Sequence, residues 1–152
     1  MATTTLNGSL VHTRGLADIR EDLAKLVLRV TVAVLILLHT WAVINGELAI
    51  RETLMRWGMP VELAWTAVIF EGIAPIMVIL GVYARLGAWM MTFWMVMAFA
   101  LAHIDTGHLS QLAANGVGWR VEGPFFFLAC SLCVALLGAG RYGLNIGGRW
   151  ND

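Results

Sequence analysis

Long apolar runs broken by short polar stretches set the pattern of this chain. Residues 26–44, 61–84, 86–104 and 121–139 are each long enough to cross a bilayer as a helix, a task that takes roughly 17–25 mostly apolar residues. Backbone polar groups in lipid must be satisfied within the segment, so each run reads as a helix. The predicted fold class is all-α: an integral membrane four-helix bundle with short interfacial helices. Before the first run, Leu16, Ile19, Leu23 and Leu26 recur at helical spacing among Asp18, Arg20, Glu21, Asp22 and Lys25. This predicts a short amphipathic helix at the membrane interface, or alternatively a soluble extension of the first span. Residues 1–15 read as polar and irregular. Ile50, Leu54 and Trp57 against Arg51, Glu52 and Arg56 predict a second interfacial helix. The division is a segment 1–25, a four-span domain 26–140 and a tail 141–152.

Composition supports this picture. Of 152 residues, 59% are hydrophobic and only 13% charged, against about 25% charged in soluble domains. Ten basic and ten acidic residues cancel, so nothing suggests nucleic acid as a partner. The first run is too long and too far from the start to read as a signal peptide, and is taken as retained. Arg14, Arg20, Lys25, Arg85, Arg141 and Arg149 fall on one side of the spans, with Arg29 just inside that end; Arg51, Arg56 and Arg120 fall on the other. The excess places both termini in the cytoplasm, as expected of a multi-pass protein of the bacterial inner membrane. Trp41, Trp57, Trp65 and Trp119 near the outer boundary, with Trp89 and Trp150 near the inner one, read as interfacial anchors.

The candidate chemistry lies in polar residues that are costly in hydrocarbon. By helical rise, Glu71 falls roughly 2 Å and His39 roughly 6 Å outside the midpoints of their spans. His103, Asp105, His108 and Glu122 follow toward the outer face. Together they outline a funnel with Glu71 at its floor. Ala64, Ala67 and Ala74 share the face of Glu71, and Pro75 withholds a donor from the Glu71 carbonyl. Arg29 is read as either snorkelling to headgroups or pairing with Glu71. His103-Ile104-Asp105-Thr106-Gly107-His108 has ligand types suited to zinc, copper or iron. Cys130-Ser131-Leu132-Cys133 lies mid-span, where packing is the expected role of both thiols.

Several short motifs occur in a telling order: Leu28-Arg29 and His39 in the first span, Glu71-Gly72 in the second, Leu80-Gly81-Val82-Tyr83-Ala84-Arg85-Leu86-Gly87-Ala88 at the next turn, and Gly138-Ala139-Gly140-Arg141-Tyr142-Gly143-Leu144-Asn145 at the close. Over residues 25–146 this resembles the DoxX family of small bacterial membrane proteins. The resemblance implies a four-helix membrane protein of redox-associated type, similar to the DoxD-like subunit of thiosulfate:quinone oxidoreductase. Other relatives are linked to oxidative-stress complexes or metal-related maturation. The family's first span often ends in a glycine-rich stretch and a lysine; here it reads His39-Thr40-Trp41-Ala42, with no lysine nearby.

Three functions follow as expectations. The first is a subunit of a quinone-linked oxidoreductase. Glu71 and His39 would act in proton transfer, with His39, Glu71, His103, Glu122 and Arg29 around a quinone. The second is metal binding at the outer face through His103, Asp105 and His108, joined by His39 and Glu122. The third is a non-catalytic assembly or anchoring subunit of a membrane complex. The expected partners are the lipid bilayer and a protein partner or second copy in the membrane.

Overall fold

The computed structural model describes the backbone of residues 3–45, 50–101, 118, 121–144, 146 and 148, and their side chains from residue 15 onward except residue 43. Helix α1 runs unbroken over Thr3–Ile44. The expected separate N-terminal interfacial helix is therefore not a separate element, and residues from Thr3 on are helical rather than irregular. No proline interrupts this stretch. An isolated glycine such as Gly15 costs a helix only about 1 kcal/mol, and a Glu21–Lys25 pair at 2.8 Å supports the turn that joins extension to span.

Helix α2, Ile50–Arg56, forms where the spacing predicts it, with Leu54 buried. The indole of Trp57 donates to the Leu101 carbonyl at 2.7 Å, tying this connection to the end of the third apolar segment. The second apolar segment is continuous from Val61 to Leu80 but not uniform. A 3-10 turn, Val61–Leu63, leads into α3, Ala64–Ala67; a π-helical stretch, Val68–Ile73, follows; α4, Ala74–Leu80, completes it. The π stretch lies just before Pro75, whose missing N–H and ring disturb the regular ladder. Gly81 ends α4 in the left-handed conformation, φ 68°. The segment thus stops short of the expected residue 84. Helices α5, Ala84–Phe99, and α6, Glu122–Leu137, form the two remaining apolar segments.

The segments pack in a closed ring: α1 against α4 and α6, and α5 against α4 and α6. The core is Val32, Ala33 and Ile36 of α1, Ala74 and Val78 of α4, Ala88 and Met91 of α5, and Val134 and Ala135 of α6. Four of these nine are alanine, which suits helix pairs in lipid that gain from close backbone approach rather than from expelling water. At Gly87 an added Cβ would stand 2.9 Å from the Ala74 carbonyl oxygen, so α4 and α5 touch there nearly backbone to backbone. Ser131 donates to the Leu128 carbonyl at 3.0 Å and lies 3.1 Å from the Thr92 hydroxyl, joining α5 to α6.

Polarity is inverted relative to a soluble domain. Arg29, Thr40, Glu71, Thr92 and Ser131 are buried, while Val34, Leu38, Ile69, Ile73, Ile76, Phe93, Val96, Phe126 and Leu136 face outward. Such a surface is unfavourable in water and suited to lipid. Gly15–Ala42 and Val61–Leu80 are long and apolar enough to cross a membrane, while α5 and α6 are shorter apolar helices.

Candidate functional site

The π-helical stretch Val68–Ile73 carries Glu71 into the interior, where it is 2% exposed. Ala67 and Ala74, on the same side, are completely buried and leave room for the approach of α1. The hydroxyl of Thr40 reaches across to the Glu71 carbonyl. It also lies 2.9 Å from the Ile36 carbonyl of its own helix, so its single hydrogen is shared between two acceptors. This is the carbonyl that Pro75 cannot serve.

The carboxyl group meets α5. Trp94 Nε1 donates to Glu71 Oε1 at 2.6 Å. The Trp94 ring stacks on Phe70, centroids 5.4 Å apart and planes within 3°, and the Phe93 ring lies tilted against Phe70 with centroids 6.1 Å apart. Glu71 Oε2 is buried with no hydrogen-bond partner among the described residues. One oxygen is thus oriented by an indole, and the other remains able to bond to something else. Among the described residues no cation pairs with the group: the ion pairs there, Lys25–Glu21 and Arg141–Asp22, both lie near the start of the first span.

The other sequence candidates are distributed differently. His39 sits at the depth of Glu71 but is exposed, because it precedes the inward-facing Thr40 by one residue, about 100° around the helix. Arg29 is buried at 1% exposure and donates to the Tyr142 carbonyl. It neither snorkels nor pairs with Glu71; eleven residues separate it from Thr40, roughly 16 Å of helix. Glu122 is exposed in the first turn of α6, where the helix dipole favours an acid. His103, Asp105 and His108 lie outside the described residues. Among those described, no cluster of three metal-ligating side chains occurs. Both cysteines are free thiols: Cys130 packs partly buried against the core, as expected, while Cys133 is exposed and does not.

Sequence reasoning missed Thr40, Phe70 and Trp94. Trp94 left a signal: it is the one tryptophan that falls at neither interfacial belt, but ten residues into α5. A mid-membrane indole carries an N–H that needs an acceptor.

No curated protein and no solved structure matches the chain. The DoxX family model matches residues 24–104, just over half of it. That stretch holds Arg29, Thr40, Glu71, Pro75 and Trp94, and with the lipid-suited surface it shows that this chain is a membrane protein belonging to the DoxX family.

Proposed function

We propose that the chain is a multi-pass subunit serving quinone-linked redox chemistry in the bacterial inner membrane, with the Glu71 site as its working centre. Four segments cross the bilayer as a four-helix bundle with both termini cytoplasmic. The observation that carries the reading is the half-satisfied Glu71 carboxyl: buried, held on one oxygen by Trp94 and lacking a partner on the other among the described residues.

A carboxyl in such a place, with no counter-cation among the described residues, reads as a proton-bearing group rather than a structural ion pair. A quinone supplies two carbonyl acceptors and the capacity to take up two electrons and two protons. The residues present fit it: Glu71 offers a hydrogen-bonding oxygen and a proton, Trp94 fixes the carboxyl's orientation, and Phe70 and Trp94 provide a flat apolar wall. The chain has no electron-carrier motif of its own, so a partner oxidoreductase delivers the electrons. Glu122 at the outer face is the proposed exchange point with solution. His39, on the exposed face of α1, has at most a secondary part.

The test is purification in mild detergent followed by extraction and quantification of bound quinone. Wild-type protein is expected to retain quinone and Glu71→Gln to lose it while remaining folded. A wild-type preparation that stays free of quinone after reconstitution with excess quinone would overturn the reading.

A further inference from the structure

Three motifs far apart in sequence meet at the inner end of the helices. The Arg29 guanidinium lies beneath Gly81, at the end of α4, and Gly143, in the segment after α6. A Cβ on Gly81 would stand 2.8 Å from Arg29 Nη1 and 2.5 Å from the Gly143 Cα; one on Gly143 would stand 3.1 Å from the same nitrogen. Only backbone therefore roofs the cation. The roof is pinned by two backbone bonds, Leu144 N–H to the Leu80 carbonyl at 3.0 Å and Tyr83 N–H to the Ile146 carbonyl at 2.8 Å.

The cation beneath is poorly satisfied. Arginine has five N–H donors. Here Nη2 donates to the Tyr142 carbonyl, while Nε and Nη1 are buried without partners among the described residues. Arg85, in the first turn of α5, repeats the condition: Nη2 donates to the Leu136 carbonyl at 2.9 Å and Nε is buried without one. The acids at this end are engaged elsewhere, Glu21 with Lys25 and Asp22 with the Arg141 side chain and N–H. No carboxylate among the described residues pairs with Arg29 or Arg85. The C-terminal ends of α4 and α6 offset part of the charge, but they do not occupy the free donors.

We propose that this inner end binds a phosphate group, with Arg29 as its principal ligand and Arg85 as the flanking cation. Phosphate supplies what the site lacks, negative charge and several strong acceptor oxygens, and guanidinium binds it through paired N–H groups. The group enters as the glycine roof lifts. Lifting breaks the Arg29–Tyr142 and Leu144–Leu80 bonds; phosphate oxygens then accept from the freed Arg29 donors through charge-assisted bonds, and the Leu144 amide opens to solvent. The level suits a lipid headgroup, since Arg29 lies three residues inside the start of the apolar run at 26–44. A free phosphate shares the same chemistry.

The purified full-length protein in neutral detergent is given phosphatidylglycerol, a phosphate-free glycolipid, or inorganic phosphate, and thermal unfolding is followed. Phosphatidylglycerol is expected to raise the midpoint well above the glycolipid value, and Arg29→Lys to weaken the apparent affinity about tenfold through loss of the fork. Arg85→Gln shows a smaller loss. A rise with inorganic phosphate alone identifies the free ion as the source and still supports the site. Equal stabilisation by the phosphate-free glycolipid, or undiminished binding in both variants, overturns it. If Arg29→Lys does not fold, hydrogen exchange on the wild type decides: phosphate is expected to speed exchange at the Leu144 amide, and an unchanged rate counts against the proposal. Quinone content plays no part in these readings.

Discussion

The Thr40 hydroxyl gives the Glu71 carbonyl the donor that Pro75 withholds. The proline removes a main-chain bond from the second segment, the chain loosens into a π-helical stretch, and a side chain from α1 fills the gap. The pair thus locks α1 to the second segment at the depth of the one buried carboxyl among the described residues. Thr40→Val keeps the shape and removes the donor. It should cost about 1–2 kcal/mol, the usual effect of a buried carbonyl left unpaired, while Thr40→Ser should be close to wild type. Denaturant unfolding in detergent measures both, and equal stability of Thr40→Val and wild type would refute the lock.

Trp94 and Glu71 should behave as an energetically coupled pair. Trp94→Phe preserves the stack on Phe70 and deletes the N–H, at an expected cost of about 1–3 kcal/mol. In a Glu71→Gln background the same change should cost clearly less, giving a coupling energy on the order of 1 kcal/mol. Additive effects in the double-mutant cycle would show that the 2.6 Å bond contributes nothing.

Function should separate Glu71 from His39. If the carboxyl is the working group, Glu71→Gln abolishes quinone retention, while His39→Ala on the exposed face of α1 lowers it about threefold at most, equivalent to less than 1 kcal/mol. The reverse order of sensitivity, read from extracted quinone, would shift the site to the outer surface of α1.

The glycines over Arg29 should be intolerant, unlike Gly15. Gly81→Ala meets both a left-handed backbone, about 1–2 kcal/mol for an L-residue, and the Gly143 Cα at 2.5 Å from the new Cβ. Marked destabilisation or failure to fold is expected. Gly15→Ala, with nothing within 4 Å in the middle of α1, should stabilise by about 0.5–1 kcal/mol. Thermal unfolding of the two variants side by side tests both, and a well-tolerated Gly81→Ala would mean the roof over Arg29 is looser than drawn.

Sequence alone determined the apolar helical segments and most of their ends, though not that the first helix begins at Thr3. Length and hydropathy fix these, because lipid admits few ways to satisfy a backbone. For one pair the helical rise holds: Thr40, beside His39, lies level with Glu71. The disturbance before Pro75 was also legible, since it follows from local chain chemistry. What only the tertiary structure decided is which way each residue faces. A membrane helix is apolar on its lipid side and apolar in its core, so the periodicity that orients a soluble helix is faint. Hence His39 faces outward and Thr40 inward, and Trp94 rather than Arg29 is the partner of Glu71. The meeting of Arg29 with Gly81 and Gly143 depends likewise on long-range packing, which brings the ends of α4 and α6 together over the first span.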